Sequence, residues 1–279
     1  MNNFLIISNK QKDEKLLLAE HVKTLLNNKG AFCRIYDAGQ EPTRGPIDVP
    51  AETECILVIG GDGTILDTAG RLIGKNIPLL GINRGTLGFL ADVDIHSLDD
   101  TIDDLMADRF QLEKRIMLEA EIIRKGEELI VCAALNDCVI LRCSTTPIIG
   151  LAVRINGILI DQYHADGVII CTPTGSTGYN LSAEGPIINP TCKNFVVTPI
   201  CPHSLTTRSV VLAKDDVVTI ELENLRNSQN EDALVSIDGK DGILIGPGDQ
   251  VRIRKAQEET PFIKTKEISF VTILKEKLL

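Results

Sequence analysis

A carboxylate set among glycines is an unusual neighbour for a phosphate. Gly60-Gly61-Asp62-Gly63-Thr64 places one there, after the apolar run Cys55–Ile59 and before a segment of helical spacing at residues 64–73. Glycines let a backbone turn sharply and approach a ligand closely. Free amides at the start of the following helix attract anions. Asp62 would repel phosphate unless it has another task. It can accept a proton from an attacking hydroxyl or help hold a metal-bound nucleotide. A plain strand-to-helix turn, with Asp62 as helix N-cap, accounts for the same residues taken alone. The Walker pattern G-x-x-x-x-G-K-[ST] is absent, and residues 70–75 only partly imitate it.

Two further groupings carry usable chemistry. Asp166 and Gly167 lead through an apolar stretch into Thr172-Pro173-Thr174-Gly175-Ser176-Thr177-Gly178-Tyr179-Asn180-Leu181-Ser182. The composition predicts a loop that exposes hydroxyls and amides. Tyr179, one of 3 tyrosines, suits the face of a flat ring. A polar β-turn loop fits the same composition. Asn136-Asp137 interrupts an apolar run, which is costly unless both groups are satisfied. A carboxylate beside an amide can grip a ribose diol; a strand-end pair with local partners reads equally well.

The elements that must position these groups change character along the chain. Residues 4–7, 33–36, Cys55–Ile59 and 79–82 are short apolar runs typical of buried parallel strands. Residues 16–26 have helical spacing, with Gly30 as a C-cap. Residues 43–53, with two prolines and a glycine, read as loop. The β-α-β order predicts an α/β domain with a mostly parallel sheet over residues 1–110. Beyond it, alternation at Leu118, Ala120 and Ile122 and the hairpin signal Asn156-Gly157 predict a mostly antiparallel, β-rich domain over 111–260. Asp215-Asp216, Asp238-Gly239 and Gly246-Pro247-Gly248-Asp249 punctuate it. Residues 261–279 form a tail; alternation of Ile268, Phe270 and Thr272 predicts a strand that could return to the first domain.

Composition narrows the partners. The formal net charge is -10, and no Lys/Arg cluster suits duplex nucleic acid or an anionic membrane surface. An anionic substrate must therefore be met by backbone amides, a metal ion or a few placed cations. Trp is absent and aromatics are 4%, so the core must be mostly aliphatic. The 8 cysteines include no C-x-x-C pair, which argues against a zinc ribbon or disulfide scaffold and fits a reducing cytosol. No signal peptide or membrane span is read, so the expected location is cytoplasmic.

Taken together these segments resemble the NAD kinase family. The shared features are G-G-D-G-T at residues 60–64, G-I-N-x-G-x-L-G-F-L at 81–90, Asn136-Asp137, and T-P-T-G-S-T-x-Y at 172–179. The first motif alone is shared with lipid kinases and, more distantly, phosphofructokinases; the last is far more specific. The resemblance implies an α/β and a β-rich domain with the active site between them. It implies transfer of a phosphoryl group from ATP, or polyphosphate, to the 2′-hydroxyl of the adenosine ribose of NAD. A divalent metal, Mg²⁺ delivered with ATP, and a homo-oligomer, a tetramer, are implied too.

Carried onto this chain, Asp62 would be the proton acceptor, with Gly63 beside it. Leu87, Gly88 and Phe89 would line the adenosine pocket, and Asn136 and Asp137 would contact NAD. Asp166 would meet the nicotinamide-ribose end, across a subunit interface. Thr177, Gly178, Tyr179, Asn180, Leu181 and Ser182 would hold adenine and ribose. Four positions depart from the usual pattern: Asp137 for Glu, Gly178 for Ala, His164 for a basic residue, and Lys240 for a short or amide residue. His164 would make a phosphate contact pH-dependent. Lys240 could reach the substrate, although an exposed hairpin lysine explains it as well.

Overall fold

The computed structural model describes residues 1–10, 13–39, 46–83, 88–143, 148–224, 232–240, 242–265 and 269–278. In chain order the first elements are β1 (Asn3–Ser8), α1 (Leu17–Asn28), β2 (Phe32–Asp37), β3 (Cys55–Ile59), α2 (Asp62–Arg71), β4 (Leu79–Asn83), β5 (Ala91–Asp94) and α3 (Leu98–Met106). A β-rich run follows: β6 (Gln111–Arg124), β7 (Glu127–Ala134), β8 (Asp137–Arg142), β9 (Ile149–Ile155), β10 (Ile158–Ala165) and β11 (Gly167–Cys171). It continues with α4 (Tyr179–Ser182), β12 (Phe195–Ile200), β13 (Val210–Leu212), β14 (Val218–Glu223), β15 (Ala233–Ile237), β16 (Ile243–Ile245), β17 (Gln250–Lys264) and α5 (Phe270–Leu278). The chain divides into two compact units, Met1–Arg115 with Glu258–Leu279, and Ile116–Gln257.

In the first unit β3 is buried at all five positions, so its apolar run has no wet face. It pairs in parallel with β1 and β4; β1 pairs in parallel with β2, and β4 with β5 and with β17 at Phe262. The order β4-β3-β1-β2 makes the chain wind outward in opposite directions from β1 and β3. The carboxyl ends of those two strands are therefore the switch point where such sheets bind ligands. Asp62 begins the helix that leaves β3 there. Helix α1 turns Ala19, Val22 and Leu26 onto the sheet. Its first amides, of Leu18 and Ala19, donate to the buried Asp13 carboxylate, and Gly30 follows in the left-handed region at φ 86.

The second unit is antiparallel throughout its described pairs. One sheet runs β10-β9-β14-β17; the other runs β13-β12-β11-β8-β15-β16. Their inward faces share one core that includes Ile140, Val153, Ile170, Phe195, Ile220 and Val251. Asn156 and Gly157 join β9 to β10 with φ 50 and 80, both positive, as a type I′ turn requires.

The tail corrects the sequence reading. Phe270 and Thr272 lie in a helix rather than a strand, and Ile268 falls outside the described residues. Ser269 decides the matter: its Oγ accepts from the Thr272 amide at 3.2 Å, a local N-cap that opposes extension. Lys275 and Lys277 sit in the last turn, where cations suit the helix dipole.

Candidate active site

The first unit carries the Asp62 site. Gly60 has no room for a side chain, because an added Cβ would lie 2.6 Å from Thr64 Oγ1 and 2.8 Å from Thr64 Cβ. Gly61 is the N-cap of α2 and Asp62 its first helical residue. The N-cap role considered for Asp62 is thus taken by Gly61. The half-buried Asp62 carboxylate instead accepts the amides of Phe89 at 3.0 Å and Leu90 at 3.2 Å. Two amide donors on two oxygens fix its direction beside the first amides of α2, which lack intrahelical acceptors by geometry and suit phosphate. Gly88 makes this possible, since a Cβ there would overlap the carboxylate, 2.7 Å from Asp62 Cγ. Lys277 of α5 sits over the Phe89 ring, 5.5 Å from its centroid. Gly88→Ala is expected to displace the carboxylate and lower kcat about 100-fold. The melting temperature should move little; steady-state kinetics beside a thermal melt check both.

The second unit gathers the other predicted residues. Asn136 lies between β7 and β8, and Asp137 opens β8. The Asn136 carbonyl accepts the Thr172 amide at 2.8 Å, and the Thr172 hydroxyl donates to the Leu135 carbonyl at 2.6 Å. Gly175 packs onto Asn136 so closely that a Cβ would lie 2.6 Å from its carbonyl carbon and 2.9 Å from its Cα. Asn136 Oδ1 is buried and has no hydrogen-bond partner. A buried acceptor of this kind is rare and is able to take a donor that a ligand brings.

Asp137 is 6% exposed. Burial first, and then the neighbouring Asp238 carboxylate, push its pKa up to about 7. The folded state therefore holds this proton more tightly than the unfolded chain does. The associated stability is fully present at acid pH and is lost as pH rises through about 7. Asp137→Asn is expected to raise the melting temperature by several degrees at about pH 8, on the order of 2 kcal/mol, and to leave it unchanged near pH 4. Parallel melts at the two pH values check the sign.

Residues 172–182 correct another expectation. The Thr172 and Ser176 hydroxyls are not offered to solvent. Thr172, Ser176 and Asn180 are fully buried. Ser176 Oγ donates to the Pro173 carbonyl at 2.6 Å and accepts the Ile188 amide at 3.0 Å. Asn180 Nδ2 donates to the Ser176 and Pro186 carbonyls at 3.3 and 3.1 Å, while its Oδ1 accepts from Thr198 Oγ1 at 2.7 Å. These side chains build the turn, leaving half-buried Thr177, Gly178 and Leu181 with exposed Tyr179 and Ser182 as its outward residues. Tyr179 is 42% exposed, and burial, then Cys201, Asp166 and Asp137, raise its phenol pKa.

Asp166 is engaged by Arg142 Nε at 2.6 Å. His164 is exposed on β10 and its carbonyl accepts the His203 amide at 2.8 Å. Lys240 is exposed and acts electrostatically on Asp238. Leu87 lies outside the described residues, while Gly63 sits exposed in the first turn of α2. Sequence reading missed Asp238, which it took for hairpin punctuation, and Gly175, whose contact with Asn136 spans distant positions.

Two family models match: the ATP-NAD kinase N-terminal domain over residues 46–110 and the ATP-NAD kinase C-terminal domain over residues 135–265. A NAD kinase of Lachnoclostridium phytofermentans is 38% identical over 99% of both chains. One from Agathobacter rectalis is 39% identical over 100% of this chain and 99% of its own. The chain belongs to the NAD kinase family. As a NAD kinase it is an enzyme that uses ATP to phosphorylate NAD to NADP.

Solved structures agree on the NAD kinase fold. Yeast NADH kinase, complexed with NADH, has a TM-score of 0.85 at 24% identity, covering 100% of this chain and 87% of its own. An NAD kinase from Archaeoglobus fulgidus, in complex with ATP, has a TM-score of 0.75 at 22% identity, covering 96% and 95%.

Proposed function

We propose that Asp62 accepts the proton of the adenosine 2′-hydroxyl of NAD as that oxygen attacks the γ-phosphorus of ATP. The new O–P bond forms as the bond to the β-phosphate oxygen breaks, releasing NADP and ADP. The observation that carries this reading is the two-amide hold on Asp62 at the start of α2. Transfer of this kind proceeds through a loose transition state, so positioning and charge neutralisation supply most of the acceleration. The α2 amides meet donor phosphate, and Mg²⁺ enters as part of the nucleotide substrate.

In the second unit, the orphaned Asn136 Oδ1 and the Asp137 carboxylate bind ribose hydroxyls of NAD. Thr177, Gly178, Tyr179, Leu181 and Ser182 receive adenine and its ribose, with Asn180 holding their turn from within. Asp166 and His164 serve the nicotinamide-ribose end, and Lys240 borders the dinucleotide. Gly63, Leu87, Gly88 and Phe89 serve the adenosine.

The enzyme acts in the cytoplasm, a placement supported by eight cysteines that form no disulfide. Among the described residues no helix is long and apolar enough to cross a membrane. It assembles as a homo-oligomer, a tetramer; exposed Ile158, Leu159 and Ile160 on β10 and Leu129, Ile130 and Val131 on β7 support a partner. NADP formation from NAD, measured with ATP and with polyphosphate in turn, tests the reading. Product with neither donor sinks it; product with polyphosphate alone reassigns the donor.

A further inference from the structure

The turn after β15 contains a carboxylate that an ordinary hairpin has no use for. Asp238 adopts φ 50 and Gly239 φ 70, and this turn brings the Asp238 side chain back to the start of β8. Its Oδ2 accepts the Leu135 amide at 2.8 Å. Its Oδ1 accepts the amides of Asn136 at 2.8 Å and Asp137 at 3.0 Å. Its own amide donates to the Asp137 carbonyl at 3.0 Å. Three consecutive amides thus converge on one carboxylate, and Thr172 grips the Leu135 and Asn136 carbonyls. The backbone of residues 135–137 is pinned from two directions, while the Asn136 side chain keeps a buried acceptor without a donor.

This arrangement is costly. Asp238 stands close enough to Asp137 for the two carboxylates to repel. Two like charges in a shielded site oppose each other's ionisation, and proteins keep such pairs chiefly where they serve a function. An amide at position 238 would remove the repulsion but leave one of the three backbone donors facing an NH₂ group.

We infer that Asp238 is a positioning residue for NAD, whose carboxylate aims the Asn136 amide and the Asp137 carboxylate at the dinucleotide. The inference rests on the reading of Asn136 and Asp137 as NAD-binding groups. The titratable groups around Asp137 are Asp238 and Lys240 from the turn after β15, Cys138 beside it in β8, Cys171 at the end of β11, and Tyr179 of α4. Burial raises the pKa values of both thiols and the phenol, so they stay neutral where Asp137 titrates. Burial raises the Asp238 pKa, and the Leu135, Asp137 and Asn136 amides, then Lys240, oppose that shift by favouring its ionised form. Asp238 is therefore the neighbouring charge through which Asp137 is tuned. Ribose hydroxyls donate best to an ionised carboxylate, so NAD affinity falls as Asp137 takes up its proton.

The test compares the full-length wild type with Asp238→Asn, Asn136→Ala and Asp137→Asn. KM for NAD, KM for ATP and kcat are measured from about pH 5.5 to about pH 8.5. Asp238→Asn is expected to raise KM for NAD about tenfold and to leave KM for ATP within about twofold. It should also move the midpoint of the NAD profile to lower pH by roughly one unit, because a repelling charge has gone. Asp137→Asn should flatten that profile. An unchanged KM for NAD, equal rises in both KM values, or an unmoved midpoint in Asp238→Asn overturns the inference. If Asn136→Ala and Asp137→Asn leave KM for NAD untouched, the underlying reading fails instead.

Should Asp238→Asn not fold, amide hydrogen exchange on the wild type decides. Leu135, Asn136 and Asp137 should lose protection together on acidification while Val139 and Ile140 keep theirs. Loss at unrelated pH values for the three amides contradicts a shared anchor.

Discussion

Asp62→Asn is expected to lower kcat by about 10²–10⁴-fold while KM for NAD changes little. Asn has nearly the shape of Asp but cannot take the hydroxyl proton. Its Oδ1 can still accept one of the amides of Phe89 and Leu90 that hold Asp62 at 3.0 and 3.2 Å, so the loop stays near its place. The other amide then meets an NH₂ group, a local cost that a thermal melt should register as a small loss. Steady-state NADP formation at saturating ATP gives kcat directly. The contrast with Gly88→Ala is informative, because that change keeps the carboxylate and spoils its position.

Gly175→Ala is the second large effect, and it acts through backbone. The added methyl would lie 2.6 Å from the Asn136 carbonyl carbon and 2.9 Å from its Cα. Neither atom can retreat as a flexible side chain would. The Asn136 carbonyl also accepts the Thr172 amide at 2.8 Å, and Gly175 N donates to Thr172 Oγ1 at 3.1 Å. The clash therefore separates residues 135–137 from the turn at 172–182. Overpacking against rigid neighbours costs about 1–3 kcal/mol. The melting temperature should fall by roughly 2–4 °C per kcal/mol. KM for NAD should rise at least tenfold, since the orphaned Asn136 acceptor moves with its backbone. A thermal melt and an NAD titration of kcat/KM read the two effects separately.

Much of this was legible in the sequence, for local reasons. Five consecutive apolar residues at Cys55–Ile59 became the central strand, buried throughout. Asn156-Gly157 made the hairpin because both residues take positive φ readily. What escaped was set by partners far along the chain. Thr172 read as an exposed loop hydroxyl, yet its acceptor is the Leu135 carbonyl, 37 positions away. Asp238 read as turn punctuation because the amides it holds are more than 100 positions away. The tail at Phe270–Leu278 failed differently: Ser269, a visible N-cap, outweighed a short alternation. The motifs announced which residues matter, but the supports that aim them needed the fold.

The most direct test of Asp62 as proton acceptor separates binding from chemistry in Asp62→Asn. NAD affinity is measured by calorimetry, and phosphoryl transfer is then followed in a single turnover with NAD and MgATP saturating. The expected result is a Kd for NAD within about threefold of wild type and a transfer rate at least about 100-fold lower. A transfer rate within about tenfold of wild type would contradict the assignment.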